Sequence, residues 1–115
     1  MVRTSDMIQT SEIYDIEHIK TALHPIFTRY GIETAYIFGS YARNEAEPDS
    51  DIDIVIRRGR IKNLFELGGL FEEIRQTLMK EIDLVTEESF TDYDTDELTR
   101  EFYGEMLKER VKIYG

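Results

Sequence analysis

Residues 36–56, YIFGSYARNEAEPDSDIDIVI, decide the fold, because they join two apolar runs through a glycine turn and a polar loop. The first run, Thr34 to Phe38, is β-branched and aromatic and stops at Gly39, which predicts a buried strand that ends in a turn. Ser40 is a favourable N-cap, and the three residues after it can form the first turn of a short helix. Backbone N–H groups at such a strand-to-helix corner are free to face an anion. We therefore expect Gly39 and Ser40 to bind a phosphate group.

The second apolar run opens with two aspartates. In residues 51–56, DIDIVI, side chains alternate, so Asp51 and Asp53 share one face of a predicted strand and three isoleucines share the other. Two adjacent carboxylates repel each other unless a cation lies between them, and oxygen ligands favour magnesium or manganese over zinc. The alternative is that the pair merely solubilises an open strand face. We disfavour it, because aspartate is uncommon in strands and here occurs twice beside a candidate phosphate loop.

The same alternation returns in residues 81–85, EIDLV, where Asp83 points away from the two apolar neighbours that flank it. Taken alone, Asp83 would as readily be a solvent-facing residue on a half-exposed strand. Beside Asp51 and Asp53, the sequence favours a third strand whose aspartate completes a cluster of three carboxylates.

These residues carry a family resemblance. The Gly39-Ser40 pair, ten intervening residues and then Asp51-x-Asp53, with Arg43 in the helix after the serine, resemble the nucleotidyltransferase superfamily of DNA polymerase β. Within it, the small size and the amino-acid sequences of the three strands resemble the minimal nucleotidyltransferases, the MntA-type antitoxins that pair with HEPN ribonuclease toxins. Asn44 stands where the family usually has glycine. We interpret this change as conservative, because asparagine tolerates left-handed backbone better than most residues.

The resemblance implies an enzyme of the magnesium-dependent nucleotidyltransferase class. Its expected reaction is transfer of AMP from ATP to a tyrosine hydroxyl of a cognate HEPN toxin, which is thereby neutralised within a hetero-oligomeric complex. Two Mg²⁺ ions, with Mn²⁺ as an alternative, would be held by the catalytic aspartates Asp51, Asp53 and Asp83.

The resemblance also assigns the nucleotide-binding residues. Gly39 and Ser40 would fix the β- and γ-phosphates of the nucleotide. Arg43 would either neutralise phosphate charge or brace the loop through an ion pair, and we favour the second role. Two rival functions stay open at this point: a non-enzymatic antitoxin that acts by binding alone, and a small-molecule nucleotidyltransferase of the aminoglycoside type.

Length and charge restrict the partner. A chain of 115 residues fits one domain, so an acceptor substrate has no second domain to hold it. Acidic residues outnumber basic ones 24 to 14, for a net charge of −10, which argues against direct nucleic-acid binding and suits either a basic protein partner or simple solubility. There is no cysteine, membrane-length apolar run or signal-peptide core, so we expect a cytoplasmic protein without disulfides.

The remaining segments predict a helical scaffold. Residues 1–12 are polar and predict a loose arm, which leaves residues 13–115 as the nucleotidyltransferase domain. Apolar residues at helical spacing predict a helix over 16–30 that ends at Gly31, with Pro25 introducing a kink or dividing it into two short helices. A second helix, from Leu64 to Leu78, contains Gly68-Gly69 and therefore suggests close approach by another backbone.

The C-terminal part predicts one more helix and a final strand. Asp94 and Glu97 form a candidate capping box before an apolar stripe of Leu98, Phe102 and Met106, and residues 111–114 read as a strand. The acidic run of residues 86–97 fits a solvated loop, with a docking surface as the alternative. The predicted fold class is therefore α/β, a small mixed β-sheet with helices on one face and the carboxylates on the other.

Overall fold

The computed structural model of the protein describes residues 9–91 and 95–115. Its helices and strands follow one another along the chain as α1 (Ile16–Tyr30), β1 (Thr34–Phe38), α2 (Gly39–Ala42), β2 (Ile52–Arg57), α3 (Leu64–Leu78), β3 (Ile82–Thr86), α4 (Glu88–Thr91), α5 (Glu97–Glu109) and β4 (Val111–Tyr114). Over these described ranges, none of the helices has both the length and the apolar character needed to cross a membrane.

The strands form a four-stranded mixed sheet in the order β3-β2-β1-β4. Strand β1 is antiparallel to both of its neighbours, whereas β2 and β3 are parallel. Parallel neighbours cannot be joined by a tight turn, and α3 supplies the crossover between them. The small mixed sheet, the α/β class and the four predicted strands are therefore confirmed.

One face of the sheet packs against α1 and α3. In β2, Ile52, Ile54 and Ile56 are fully buried on this face, as their alternation predicts. The two helices contribute further fully buried side chains to the same core: Ile19, Leu23, Phe27, Leu70, Ile74 and Leu78. Burying each such side chain stabilises the fold by about 1.5–3 kcal/mol, so this layer is the main hydrophobic core.

The other face also carries a helix, which corrects the expectation that all helices lie on one face. Met106 of α5 is buried against Phe38 and Val55, and aromatic and aliphatic side chains from β1, β3, α4 and α5 pack around them. Since strand positions on this face are apolar at Phe38 and Val55 but acidic at Asp53, only part of it needs a cover. Helix α5 covers the apolar part and leaves the carboxylates beside it.

A buried carboxylate fixes α5 to the sheet. Glu87 is only 6% exposed and accepts a hydrogen bond from the Tyr103 hydroxyl at 2.6 Å, while the Arg110 guanidinium contacts the same oxygen at 3.2 Å. Burial, followed by the hydrogen bond to Glu87, raises the pKa of Tyr103 to about 12. The Arg110 guanidinium also stacks on the Tyr36 ring at 3.7 Å from its centroid. These contacts join the C-terminal half of α5 to β1 and to the residue that follows β3.

Helix α1 runs without interruption through Pro25, so the predicted alternative of two short helices is wrong. Packing of the turns on both sides of the proline, at Leu23 and Phe27, holds the helix together despite the missing N–H. The helix ends as predicted at Gly31, whose φ of 69° is left-handed and whose N–H bonds to the carbonyls of Phe27 and Thr28.

Helix α3 is also continuous, and its two glycines differ. A Cβ atom on Gly69 would lie 2.9 Å from the Tyr30 hydroxyl, whereas one on Gly68 would meet open space. The close approach therefore comes from a side chain of α1 rather than from a backbone. Leu64, predicted on the apolar face, is 83% exposed, because the packed part of the helix begins only at Leu67.

Helix α5 begins later than predicted. Its N-cap is Asp96, whose carboxylate accepts the backbone N–H of Thr99, so the predicted box from Asp94 to Glu97 is wrong; Asp94 itself lies outside the described residues. Only part of the expected apolar stripe of α5 is buried. Met106 is buried, whereas Leu98 is 77% and Phe102 is 48% exposed.

Candidate functional site

The corner between β1 and α2 depends on Gly39. Its φ of 72° is left-handed, and a Cβ atom placed on it would collide with the Oδ2 atom of Asp53. Glycine is therefore required here both by the backbone conformation and by the carboxylate that lies against it. The helix begins at Gly39, so Phe38 holds the cap position and no side chain caps it. The prediction that Ser40 is the N-cap is wrong, because Ser40 lies one residue inside the helix.

The three predicted aspartates lie at the same end of two parallel strands. Asp53 of β2 is paired in register with Asp83 of β3, and its antiparallel partner across β1 is Phe38, the residue before Gly39. Asp51 lies one residue before β2 begins. Asp53 is half-buried, while Asp51 and Asp83 are exposed. Because residues paired in register point to the same face, the two strand aspartates and Gly39 meet on one side of the sheet.

Electrostatics mark Asp53 as the centre of this group. Burial, followed by the nearby charges of Asp83 and Asp51, raises the pKa of Asp53 to about 6, while Arg43 opposes the shift. A carboxylate whose pKa is raised by other carboxylates lacks the positive charge that would balance them. A bound cation would supply it.

The donor set fits a divalent cation. Carboxylate oxygens are hard ligands of the kind that Mg²⁺ and Mn²⁺ prefer. Within the described residues, no three His, Asp or Glu side chains already converge as a closed ligand set. Asp51 and Asp83 are exposed and so have room to rotate toward Asp53.

Arg43 is held by two carboxylates. Its Nε donates to Glu45 at 2.7 Å, and its Nη1 lies 3.1 Å from Oε1 of Glu109, at the end of α5. The same Glu109 oxygen accepts the Gly39 backbone N–H at 3.2 Å. Glu109 thus ties the C-terminal end of α5 to both the glycine corner and the arginine. These contacts agree with the bracing role preferred for Arg43.

The loop between α2 and β2 is fixed at both ends. Asn44 has a φ of 60°, so its backbone is left-handed, a conformation that asparagine tolerates better than most residues. The Ser50 hydroxyl accepts the Glu47 N–H at 2.8 Å. Lys80, only 3% exposed, donates to the carbonyls of Pro48 at 2.9 Å and Thr10 at 3.2 Å. This lysine anchors the loop that leads into Asp51.

The sequence-based site and the structural site overlap but are not identical. The structure brings Gly39, Asp53 and Asp83 together, with Asp51 and Arg43 beside them. It adds Glu109 and Lys80, which the sequence did not indicate. Both are common charged residues without a local motif, and their partners lie 66 to 70 and 32 to 70 residues away along the chain. Only the folded topology reveals them.

Comparison with protein families agrees with this geometry. The family model described as polymerase beta, nucleotidyltransferase, matches residues 21–113. That range includes the glycine corner, all three aspartates and Glu109.

Individual relatives point the same way. The chain is 44% identical over 72 residues to a Methanocaldococcus jannaschii protein named “Putative protein adenylyltransferase”, an alignment that covers 63% of this chain and 77% of the relative. It is 37% identical over 76 residues to the protein adenylyltransferase MntA of Thermococcus cleftensis, covering 65% of this chain and 77% of that protein.

Solved structures share the fold. A toxin–antitoxin structure with AMP-PNP contains a chain with a TM-score of 0.64 and 16% identity, covering 84% of this chain and 73% of that one. A structure of the tri-AMPylated Shewanella oneidensis HEPN toxin in complex with its MNT antitoxin gives a TM-score of 0.61 and 16% identity, covering 87% and 72%. With the family model matched over residues 21–113 and the same fold observed, this chain belongs to the polymerase beta nucleotidyltransferase family.

Proposed function

We propose that this protein is an antitoxin that transfers AMP from ATP to a tyrosine hydroxyl of a cognate HEPN ribonuclease toxin and thereby neutralises it. The observation that carries the proposal is the in-register pair Asp53 and Asp83 beside Gly39, in a chain whose relatives are named protein adenylyltransferases. The acceptor is a protein in this proposal because the acidic surface repels nucleic acid. The proposal also has both proteins act in the cytoplasm, where an RNA-cleaving toxin would meet its substrate.

In the proposed reaction, the tyrosine oxygen attacks the α-phosphorus of ATP. A new oxygen–phosphorus bond forms, the bond to the bridging oxygen of the leaving pyrophosphate breaks, and a carboxylate oxygen of Asp83 receives the hydroxyl proton. Asp51, Asp53 and Asp83 would hold divalent cations, which supply the positive charge that stabilises the attacking and leaving oxygens. The raised pKa of Asp53 supports this assignment, because burial and the neighbouring carboxylates both disfavour its negative charge, which a bound cation would stabilise.

The glycine corner positions the nucleotide. The backbone N–H of Gly39 and the hydroxyl of Ser40 would donate to the β- and γ-phosphates, since no side chain at Gly39 blocks their approach. In the free protein, Glu109 accepts the Gly39 N–H, so the triphosphate replaces this carboxylate when it binds. Arg43 stays held by Glu45 during that exchange and continues to brace the loop.

Mass spectrometry of the co-expressed toxin tests the proposal. With the wild-type chain, we expect the toxin to gain mass in multiples of one AMP unit. With Asp53→Asn, which removes the central carboxylate while preserving its shape, we expect an unmodified toxin. An unmodified toxin with the wild-type chain, still neutralised in a growth assay, would instead identify an antitoxin that acts by binding alone.

The remaining rival is a nucleotidyltransferase for small molecules. It predicts that purified wild-type protein adenylylates an aminoglycoside with radiolabelled ATP at a rate that the toxin does not increase. The proposed function predicts label on the toxin and none on the aminoglycoside.

A further inference from the structure

Two apolar side chains in the N-terminal half of α5 remain exposed beside the candidate site. Leu98 and Phe102 are 77% and 48% exposed and lie four residues apart, so they share one side of the helix. Met106 continues the same stripe and is buried in the sheet. The stripe therefore starts in the core and emerges into solvent toward the N-terminal end of α5. We call Leu98 and Phe102 the α5 apolar strip.

The α5 apolar strip adjoins the carboxylates. The Phe102 ring meets the Phe38 ring edge-on at 6.0 Å between centroids, and it lies 5.9 Å from the Phe90 ring. Phe38 precedes Gly39 and is the direct strand partner of Asp53. A molecule resting on the strip would thus reach the position where the proposed reaction takes place.

An acidic stripe accompanies the apolar one. Glu97, Glu101 and Glu105 are all exposed and are spaced four residues apart, each one residue before a member of the apolar stripe. Of the basic residues on this helix, Lys108 lies 3.4 Å from Glu105, and Arg100 donates to the Thr95 carbonyl. The surface beside the strip is therefore negative, in agreement with the net charge of −10.

We propose that the α5 apolar strip and its glutamates form the docking surface for the acceptor protein, which presents an apolar patch surrounded by lysine and arginine side chains. This inference rests on the proposed function, from which it takes the acceptor. Apolar contact would provide affinity, and the glutamates would provide orientation and a faster encounter with a basic partner. Docking beside Phe38 brings the acceptor hydroxyl to the carboxylates.

The charges disfavour two other occupants. In a symmetric contact between two copies of this chain, each glutamate stripe would face its own counterpart, and the like charges would repel each other. A nucleic acid would meet the same repulsion from its phosphates. A basic protein surface is the complement that the α5 apolar strip fits.

The test uses a pair of matched leucines. Leu98 and Leu64 both lie in the first turn of a helix, and both are more than three-quarters exposed. Leu64 follows the end of β2 that lies away from Asp53, so it serves as the control. Full-length Leu98→Lys, Leu98→Glu and Leu64→Lys variants are titrated against purified HEPN toxin, and binding is measured by calorimetry. Because both sites are exposed, neither lysine should disturb the fold. Circular dichroism of each variant checks this expectation.

We expect Leu98→Lys to weaken toxin binding at least about tenfold, since it removes apolar contact and adds a repelling charge. Leu98→Glu should weaken binding less, and Leu64→Lys should leave it within about twofold of wild type. Wild-type affinity in Leu98→Lys, or equal losses in Leu98→Lys and Leu64→Lys, would overturn the proposal. So would a wild-type dimer of this chain that Leu98→Lys dissociates, because the strip would then bind a second copy.

Failure of the docking surface can be separated from failure of the proposed function. Binding of AMP-PNP by the chain alone is measured in parallel and should be unchanged in Leu98→Lys. If wild-type protein binds the toxin through Leu98 but adds no AMP, the docking surface is supported and the proposed chemistry is overturned. If AMP is added at wild-type rate by Leu98→Lys at limiting toxin concentration, the chemistry stands and the docking surface is overturned.

Discussion

The two faces of strand β2 differ in what they contribute. On one face, Ile52, Ile54 and Ile56 are fully buried beneath α1 and α3. On the other, Asp53 is half-buried with a raised pKa, and the next residue on that face, Val55, is buried under α5. A single six-residue strand thus carries the centre of the hydrophobic core and the centre of the candidate active site.

The difference shows how a short chain can include a group of charges that lowers its stability. Charged groups that repel one another destabilise the metal-free fold, and the isoleucine face offsets that effect by burying aliphatic surface. Substitutions on the two faces of β2 should therefore have opposite effects on the stability of the metal-free protein. Those on the isoleucine face should reduce stability, whereas those on the aspartate face should remove activity and increase the stability of the metal-free protein.

The largest expected change in stability comes from the isoleucine face. Ile54→Ala should lower the free energy of unfolding by about 2–5 kcal/mol, because it leaves a cavity between the sheet and the helices. Urea denaturation followed by far-UV circular dichroism measures this loss. A loss of less than about 1 kcal/mol would mean that the isoleucine face is not the main source of stability.

A smaller but localised effect is expected at the glycine corner. In Gly39→Ala, the new Cβ atom collides with Asp53 and strains a left-handed backbone, so AMP transfer should fall about 100-fold through misplacement of the carboxylate. Gly68→Ala is the matched control. It adds the same methyl group in open space within α3, and it should leave transfer unchanged and stabilise the helix by up to about 1 kcal/mol. Equal activity in the two variants would contradict the proposed role of Gly39.

Asp53 should also give the metal-free protein a characteristic pH dependence. Its folded pKa of about 6 lies above the ordinary value of 3.8, so between these values the folded state holds the proton more tightly than the unfolded state does. Its contribution to stability is therefore greatest at low pH and is lost as pH rises through 6. Asp53→Asn should stabilise the metal-free protein at pH 7.5 by an amount of the order of 2 kcal/mol, and the gain should vanish near pH 4. A destabilised Asp53→Asn protein at pH 7.5 would contradict the assignment.

The smallest expected effect concerns Glu109. Its charge contributes to the raised pKa of Asp53, so Glu109→Gln should lower that pKa, as measured by carbon-detected NMR titration of the carboxyl group. Glu105→Gln, on the exposed side of the same helix, should leave it unchanged. If both variants give the wild-type pKa, Glu109 does not act on Asp53 electrostatically.

The sequence allowed β2 and β3 to be predicted, because alternation in residues 51–56 and 81–85 is a local signal that a sheet must satisfy. It did not reveal Glu109, whose role depends on where α5 ends relative to Gly39. It also predicted all helices on one face of the sheet, whereas α5 packs on the other, and it did not reveal that Leu98 and Phe102 stay exposed. A helical stripe shows only that a helix has an apolar side, whereas the length of sheet beneath the helix decides how much of that side is covered.

The proposed function depends most directly on Asp53 and Asp83, which lie on neighbouring strands and would act together at one site. A double-mutant cycle of AMP transfer to the toxin, with Asp53→Asn, Asp83→Asn and the combined variant, tests this. If the two carboxylates serve one cation site, each single substitution should reduce the transfer rate nearly as much as both together, by at least about 1,000-fold. A wild-type rate for Asp83→Asn, or a double variant whose loss equals the product of the single losses, would contradict the account.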